Sequence, residues 1–451
     1  MRTRTLTGST TEGGVRVKTT ISGLHELIGQ KVTVHGWVHT IRNQKRMQFV
    51  VVRDHTGLAQ AIHERQGETD TLAEQLDSVT RESAVVLTGQ VVANPQVKLG
   101  QIELVINELD VVGPALAAIP LGDDATLDAR LDWRFLDLRQ PKNRLIFEVQ
   151  TAAEEAMREF WHQNGFLEIH SPKLMGGASE SGAELFRVEY FDRHAYLAQS
   201  PQFYKQMAMV AGFDRVFEIG PVFRANPSFT SRHDTEFTSV DVEISWIDSH
   251  EDVMKLEEDW LNHVLTQLQE QHGQAIRDSF GIEVVVPGLP FPRISMAEAY
   301  AVLDSMGHDL PRATKGDLDP EGERLLAKHI MQSHGHEFVF VTDYPVSVRP
   351  FYHMRHTDHP ELTKSFDLIW KGIEVTTGAQ REHRVDILTQ QAKEKEIPLD
   401  SIGYYLDFFR YGCPPHGGYG FGLTRMLMIL LGLQNVREAT YLYRGPNRLT
   451  P

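Results

Sequence analysis

Residues 217–247 read FEIGPVFRANPSFTSRHDTEFTSVDVEISWI, and this stretch decides the fold. The runs 215–225 and 237–247 are rich in apolar residues and are separated by a polar loop, which predicts an antiparallel pair of strands. In the second run, strict alternation predicts one buried face and one polar face. The predicted buried face contains Thr238, Val240, Val242, Ile244 and Trp246, and the polar face contains Phe237, Ser239, Asp241, Glu243 and Ser245.

The loop between these strands carries charged groups beside an aromatic residue. Arg224 ends the first strand, and Arg232, His233 and Glu236 precede Phe237. Arginine, histidine and carboxylates around one ring are the groups that bind a polyphosphate with a metal ion and stack a base. An ordinary salt-bridged sheet surface fits the same pattern equally well.

Composition indicates a globular protein of two or three domains. The chain has 451 residues, of which 41% are hydrophobic and 24% charged. No apolar run reaches the roughly 18 residues that a membrane span needs. Cys413 is the only cysteine, which excludes an internal disulfide and any site built from several thiolates. A reducing compartment fits best, so we expect a cytoplasmic protein without a membrane segment.

Charge is distributed unevenly along the chain. The formal net charge is −16, yet the first 53 residues contain nine Lys and Arg against two Asp and Glu. Residues 1–114 are neutral, with twelve of each sign, so the remainder carries the whole excess. A basic N-terminal module can contact a phosphate backbone although the whole protein is acidic. A merely solvated basic surface is an equally good interpretation of the charge alone.

The N-terminal part predicts a tail and a small barrel. Residues 1–20 lack the apolar core of a secretory signal and are expected to be a disordered tail. Residues 21–113 contain about five strand-like runs, which favours a closed barrel of the oligonucleotide-binding (OB) kind. The clearest runs are 31–37, 47–53, 58–62 and 84–92.

The rest of the chain predicts a linker and one larger domain. Residues 114–143 contain Pro114, Pro120 and Pro141 and are expected to connect the domains. Within 144–451, apolar residues repeat with helical spacing from Leu145 to Phe160, and Gly165 stands where a left-handed cap is expected. Further helices are predicted over 251–272 and 423–433. Residues 275–345 carry no pattern that assigns a function.

Several kinds of chemistry have weak support. The run 417–422, GGYGFG, is a poor dinucleotide fingerprint because prolines rather than a strand precede it. No phosphate-binding Gly-Lys-Ser or Gly-Lys-Thr loop and no nucleophile elbow occur. His353, His356 and His359 form a triplet without helical spacing, so surface histidines are favoured over a metal site.

Taken together, three segments resemble the signatures of a class II aminoacyl-tRNA synthetase of the aspartyl, asparaginyl and lysyl subgroup, closest to the archaeal-type aspartyl enzymes. The segments are 165–172 (GFLEIHSP), 217–247 and 420–425 (GFGLTR). The resemblance implies an α+β fold, with an OB anticodon-binding barrel followed by an antiparallel catalytic sheet flanked by helices. It also implies a homodimer that activates L-aspartate with ATP, releases pyrophosphate and esterifies the 3′ end of tRNA(Asp). No protein nucleophile is needed for this reaction.

The same resemblance assigns residues to ATP. Arg224 would hold the α-phosphate, Phe237 would stack on adenine, and Arg425 would cover the other face of the base. Arg232, His233 and Arg381 would meet the outer phosphates. Asn226 and Gly422 also fall at ATP-binding positions.

Metal and amino-acid residues follow in the same way. Glu374 and Thr377 match a metal-holding pair, and oxygen ligands beside phosphates suit Mg²⁺. Lys205 would pair with the substrate β-carboxylate, because a neutral carboxamide would leave a buried ammonium unpaired. The positions expected around the aspartate are Glu180, Gln202, Asp241, Thr377 and Arg410.

Anticodon residues are implied within the barrel. Phe49 and Gln60 would stack on and hydrogen-bond the middle anticodon uridine, with Glu103 as a third member. His39 and Gln96 stand where strictly aspartate-specific archaeal-type enzymes tend to carry Trp and Lys. This difference predicts an enzyme that charges tRNA(Asn) as well as tRNA(Asp).

Three positions depart from the family pattern: Asn226, Thr424 and Gly445, where relatives usually carry Glu, Glu and Asp. An asparagine keeps a carbonyl acceptor on a shorter arm, so we expect altered rather than lost ATP affinity. Two alternatives therefore stay open. One is an asparaginyl-tRNA synthetase, against which Lys205 argues, and the other is a paralogue that has lost aminoacylation.

Overall fold

The structure, a computed structural model, describes residues 19–67, 69–122, 124–177, 184–227, 230–308 and 316–451. The chain divides into two compact units, Met1–Pro141 and Lys142–Pro451. The expected tail lies outside the described residues as far as residue 18. In the described ranges, no helix combines the length and the apolar character needed to cross a bilayer.

The first unit contains a closed barrel with the strand order β1-β2-β3-β5-β4. Its strands are β1 Lys31–Asn43, β2 Met47–Arg53, β3 Leu58–Glu64, β4 Ala84–Ala93 and β5 Ile102–Gly113, and helix α1, Thr71–Ser78, lies between β3 and β4. Alternate residues point inward, as the period of two predicts. Two glycines allow close approach between strands, because a Cβ at Gly36 would lie 2.4 Å from the Arg53 carbonyl oxygen and one at Gly89 would lie 2.2 Å from that of Val105. The predicted OB barrel is confirmed.

The segment predicted as a linker is not irregular throughout. It contains the short helices α2, Leu127–Asp132, and α3, Arg134–Asp137. The Arg134 guanidinium is 1% exposed and lies 2.5 Å from the Asp137 carboxylate. The prolines that suggested a linker therefore flank ordered helices.

The second unit is built on an eight-stranded, mostly antiparallel sheet in the described residues, with the order β12-β13-β14-β15-β16-β11-β10-β6. These strands are β6 Leu167–Glu168, β10 Arg215–Phe223, β11 Glu236–Ser245, β12 Arg293–Ser295, β13 Phe338–Thr342, β14 Ser365–Trp370, β15 Ile373–Arg381 and β16 His416–Gly422. A smaller sheet contains β7 Leu174–Met175, β8 Arg187–Tyr190 and β9 Arg193–Leu197.

The predicted strand pair is confirmed, because β10 and β11 pair antiparallel with Glu218 opposite Asp241. One residue was assigned wrongly. The strand ends at Ser245, and Trp246 turns outward with φ +62° and is 72% exposed. The Trp246 indole donates to the Asp214 carboxylate at 3.2 Å, so a local hydrogen bond replaces burial.

Helices cover one face of the large sheet. Helix α4, Pro141–Gln163, and helix α6, His250–Phe280, bring Trp161 and Trp260 together with ring centroids 5.2 Å apart. Trp161 also stacks on Phe217 of β10 at 4.4 Å, which anchors the helices to the sheet. Gly165 has φ +77° after α4, as predicted. The remaining helices are α5 Gln202–Val210, α7 Met296–Ser305, α8 Pro320–His334, α9 Val385–Glu394, α10 Gly403–Phe409, α11 Leu423–Leu430 and α12 Val436–Ala439, and short 3₁₀ turns lie at Ile21–Leu27 and Leu399–Ser401.

Candidate active site

The polar face of the large sheet borders a cavity of about 410 Å³. Residues of β11, β15 and β16 line it, together with the loop after β10. Twelve residues that the resemblance assigns to ATP, the metal or aspartate meet there: Gln202, Arg224, Asn226, Arg232, His233, Phe237, Asp241, Glu374, Thr377, Arg381, Gly422 and Arg425. Residues far apart in the chain thus form one concave, charged surface.

One part of the cavity combines arginines with an aromatic ring. The Arg224 guanidinium lies 5.5 Å from the ring centroid of Phe237. The Arg425 Nη1 donates to the Glu374 carbonyl oxygen at 2.8 Å, which fixes this arginine against β15. Burial, followed by the charges of Arg425, Arg224 and Arg232, lowers the pKa of His233. A polyanion would therefore meet three fixed positive charges and a neutral imidazole.

Two buried carboxyl groups, those of Glu323 and Asp234, also lie near these arginines. The Glu323 carboxylate accepts from Arg232 Nη1 at 2.8 Å, and burial, with the charge of Glu374 next, raises the pKa of Glu323 to about 7. Burial likewise raises the pKa of Asp234 to about 7, although Arg425 opposes this shift. Sequence reasoning missed Glu323, because α8 lies in the segment without a recognisable motif.

Oxygen donors suited to a divalent cation lie on β15. The Thr377 hydroxyl donates to the Glu374 carboxylate at 3.0 Å, and both residues line the cavity. Asp367 on β14 is opposite Thr377 in register, and it is a further carboxylate that sequence reasoning missed. Its signal was an acidic residue inside an otherwise apolar strand. Arg349 holds Asp367 at 2.6 Å, while burial raises the pKa of Asp367.

These donors form an open set rather than a closed cage. Among the described residues, no group of three or more His, Cys, Asp or Glu side chains is arranged to hold a metal ion by itself. Mg²⁺ usually keeps several waters and shares substrate phosphates, so one or two protein oxygens beside a phosphate site fit it.

A buried cluster of two cations and two carboxylates lies at the sheet surface. Lys205 Nζ is 3.0 Å from Asp241 Oδ1, 3.5 Å from Glu243 Oε2 and 2.9 Å from the Tyr419 carbonyl oxygen. Arg381 Nε donates to Glu243 at 3.0 Å. Asp241 and Arg381 line the cavity, and Lys205 contacts it only through its partners. Its contacts thus place Arg381 with Lys205, whereas we had expected Arg381 beside Arg232 and His233.

The glycine run has a structural role in this cluster. A Cβ at Gly418 would lie 2.0 Å from the Val242 carbonyl oxygen and 2.4 Å from Glu243 Oε2. Residues 416–422 form strand β16, so only glycine lets it approach β11 while the carboxylate stays between them. A dinucleotide fingerprint forms the turn between a strand and a helix, whereas this glycine run lies within a strand.

One predicted site residue falls elsewhere, and another is not described. Arg410 is exposed and pairs with Asp407 at 3.5 Å, and among the described residues it is not part of the cavity lining. Glu180 lies outside the described residues.

The expectation of surface histidines was wrong for one member of the triplet. His353 is 2% exposed and lies 3.1 Å from Arg381 Nη1. Burial and the charge of Arg381 hold the pKa of His353 well below its usual value. His356 instead pairs with Asp343 at 2.8 Å, so the triplet is not gathered in one place.

The barrel presents a second surface, made from β2, β3 and β5. The Phe49 ring is half-buried on the outer side of β2, and the Arg42 guanidinium lies 4.9 Å from its centroid. Gln60 donates to Glu103 at 2.6 Å, and Asn94 donates to the other oxygen of that carboxylate at 2.8 Å. Since Phe49 is not in the barrel core, its ring is available for stacking.

The two positions linked to tRNA discrimination have different neighbours: His39 contacts Arg53, and Gln96 contacts the same Asn94 that donates to Glu103. His39 Nδ1 is 3.3 Å from Arg53 Nη1 on the neighbouring strand. Gln96 is exposed in the loop between β4 and β5, where its backbone N–H donates to Asn94 Oδ1 at 3.1 Å.

Comparison with known proteins decides the family. Residues 126–444 match the family described as tRNA synthetases class II (D, K and N), and residues 32–112 match the OB-fold nucleic acid binding domain. The chain belongs to the class II tRNA synthetases. The match to the family covers the cavity and the sheet beneath it, so the constellation described above is that of a synthetase.

Individual relatives resemble this synthetase along nearly its whole length. It is 40% identical to the aspartate–tRNA(Asp) ligase of Pyrococcus abyssi, over 94% of this chain and 97% of the relative. It is also 40% identical to the aspartate–tRNA(Asp/Asn) ligase of Aeropyrum pernix, over 96% and 98%. Among solved structures, asparaginyl-tRNA synthetase from Pyrococcus horikoshii complexed with asparaginyl-adenylate gives a TM-score of 0.88 at 31% identity, with 96% of this chain and 100% of that chain covered. Aspartyl-tRNA synthetase from Entamoeba histolytica gives 0.85 at 30%, with 96% and 93% covered.

Proposed function

We propose that this synthetase activates L-aspartate with ATP and Mg²⁺ and transfers the aspartyl group to the 3′ end of tRNA(Asp). The observation that carries the choice of amino acid is the buried cluster of Lys205, Arg381, Asp241 and Glu243 at the cavity. Asp241 faces the cavity, where its carboxylate can bind the substrate α-ammonium group. The two cations are then opposed only by Glu243 within the cluster, so they can neutralise an acidic side chain. The names of the most similar curated relatives support the same substrate.

The geometry supports catalysis by positioning and charge stabilisation. The aspartate α-carboxylate attacks the α-phosphorus of ATP, the aspartyl-adenylate forms, and pyrophosphate leaves. Arg224 and Phe237 are adjacent, which suits an α-phosphate beside a stacked adenine. Arg232 and His233 then hold the outer phosphates, and Arg425 covers the base. Arg381, which contacts the Lys205 cluster, is assigned to the aspartate side chain instead.

Glu374 and Thr377 would hold the magnesium ion, with Asp367 behind them. The ion would supply charge neutralisation for the outer phosphates. Since Thr377 already donates to Glu374, the carboxylate is oriented before any ion arrives.

The asparaginyl alternative is less well supported. With Asp241 engaged by the α-ammonium group, a carboxamide side chain would leave one positive charge of the cluster without a partner. The cost of such an unpaired buried charge is several kcal/mol. Amino-acid-dependent ATP–pyrophosphate exchange separates the two cases. Exchange with asparagine but not aspartate would overturn the proposal.

We extend the proposal to tRNA(Asn) because His39 and Gln96 replace the residues expected in strictly aspartate-specific enzymes. Relatives named for tRNA(Asp) alone and for both tRNAs are equally similar, so overall identity does not choose between them. The test is aminoacylation of separate tRNA(Asp) and tRNA(Asn) transcripts with radiolabelled aspartate. Loading of tRNA(Asp) alone would contradict the extension.

The departures from the family pattern leave the charged groups in place. At Gly445 a Cβ would lie 2.2 Å from the Tyr443 hydroxyl oxygen, so the local packing accounts for glycine there. Thr424 borders the cavity where relatives usually carry Glu, and it contacts the buried Asp234. Asp234 thus supplies a carboxyl group next to the position where the glutamate is missing. We therefore favour an active ligase over an inactive paralogue.

We further propose a cytoplasmic homodimer. The single cysteine supports the compartment, and the resemblance of residues 165–172 supports the dimer. Leu167 and Leu174, in and beside that segment, are 52% and 51% exposed, and both would gain from an apolar partner surface. Sedimentation velocity of the full chain tests this, and a monomer at micromolar concentration would contradict it.

A further inference from the structure

Helix α8 contacts Arg232, a residue that lines the cavity, although the sequence of the helix carries no recognisable motif. Asp319 caps its first turn by accepting from the Gly322 N–H, and Glu323 follows in that turn. The Glu323 carboxylate accepts from Arg232 Nη1 at 2.8 Å, and the two side chains are only 12% and 18% exposed. Glu321, two residues earlier, is about half exposed and pairs with Arg324 on the same helix.

The environment of Glu323 differs from that of a surface ion pair. Arg425 and Glu374 are the other charged groups close enough to affect it. Glu323 therefore contacts Arg232, which is expected to bind phosphates, and also lies close to Glu374, which is expected to hold magnesium. A long arginine side chain loses considerable rotamer entropy when it binds a ligand, and a fixed partner removes part of that cost in advance.

We propose that Glu323 is a positioning residue for ATP, which orients Arg232 toward the outer phosphates before the nucleotide binds. This inference rests on the proposed function, because it takes Arg232 to be a phosphate ligand. It gives the otherwise unassigned segment around α8 a role in nucleotide affinity. The role is specific: Glu323 acts through Arg232 and does not touch the aspartate site.

A double-mutant cycle tests the inference. The variants are Glu323→Ala, Arg232→Ala and the double variant, with Glu321→Ala as the matched control on the exposed side of α8. Aspartate-dependent ATP–pyrophosphate exchange gives kcat and the KM values for ATP and aspartate, and equilibrium dialysis with labelled ATP gives a Kd. We expect Glu323→Ala to raise the KM and Kd for ATP about tenfold, as for one lost hydrogen bond between charged groups. We expect KM for aspartate to stay within about twofold, and Glu321→Ala to match the parent.

The interaction between the two positions gives the decisive readout. If Glu323 acts through Arg232, then Glu323→Ala adds less than about twofold in the Arg232→Ala background. A full further tenfold loss there would show an independent, structural effect and overturn the inference. Tighter ATP binding by Glu323→Ala would overturn it as well, because Glu323 would then compete with phosphate.

Two further measurements keep the outcome unambiguous. Glu323→Gln retains an acceptor for Arg232 without the charge, and we expect about threefold weaker ATP binding even if Glu323→Ala proves unstable. ATP affinity of Glu323→Gln equal to that of the parent would contradict the role of the ion pair. If the parent itself shows no exchange with aspartate, the proposed function fails and this inference fails with it. If the parent shows normal exchange but the effects of Glu323→Ala and Arg232→Ala on ATP affinity are additive, this inference alone is refuted.

Discussion

Replacing Lys205 by methionine tests the amino-acid assignment most directly. Methionine keeps most of the length of the side chain and removes its charge. In the parent, Lys205 Nζ contacts Asp241 at 3.0 Å, Glu243 at 3.5 Å and the Tyr419 carbonyl oxygen at 2.9 Å, with the side chain 2% exposed. The variant therefore leaves a buried carboxylate without its cation. Arg381 still partners Glu243, so the loss falls mainly on Asp241.

The size of the effect on catalysis follows from the charge pair that Lys205 is proposed to form with the aspartate side chain. Breaking a buried, hydrogen-bonded charge pair costs about 2–4 kcal/mol in binding, which corresponds to a roughly 30- to 900-fold loss. We expect this loss in kcat/KM for aspartate in ATP–pyrophosphate exchange, with a smaller loss for asparagine, so that the preference for aspartate narrows. The Kd for ATP should change little.

Lys173→Met provides the matched control, because Lys173 pairs with the buried Glu218 at 2.7 Å outside the cavity lining. We expect it to retain kcat/KM for aspartate within about threefold. A folded Lys205→Met variant with the same small change would refute the reasoning, and so would an equal loss in both variants.

Three further predictions follow from other parts of the synthetase. Glu374→Gln should raise the magnesium concentration for half-maximal exchange about tenfold, because a carboxylate ligand becomes a neutral amide; an unchanged titration curve would count against the metal site. Phe49→Ala should raise KM for a tRNA(Asp) transcript roughly 5- to 150-fold through lost base stacking while leaving exchange unaffected, and an unchanged KM would remove Phe49 from the anticodon site. Burial raises the pKa of Glu257 from 4.5 to about 8, so the folded state binds this proton more tightly and stability falls as pH rises between those values. From pH 5 to pH 8, the free energy of unfolding measured with urea should therefore fall by a few kcal/mol less in Glu257→Gln than in the parent. The same fall in both proteins would disprove this.

The structural features that could be predicted from the sequence are those that depend on local backbone geometry. A period of two sets which side chains of β11 share a face, although residues 240–244 are buried on both faces. Gly165 meets the steric demand of a positive φ at the end of α4. The barrel could be predicted from short runs of alternating apolar and polar residues that are separated by turn signals. Local patterns failed where a hydrogen bond beyond the strand prevailed, as at Trp246, which leaves the sheet for Asp214.

Local sequence patterns and family signatures were sufficient for the class of fold, the strand pair, the family and half of the residues that line the cavity. The grouping of those residues depended on the tertiary structure. It placed Arg381 with Lys205, moved Arg410 out of the cavity, buried His353 and brought Glu323 to Arg232, 91 positions away in the chain. The physical reason is that strand register and helix packing, which are set by the burial of distant surfaces, fix which charges meet, and no local spacing in the sequence encodes those distances.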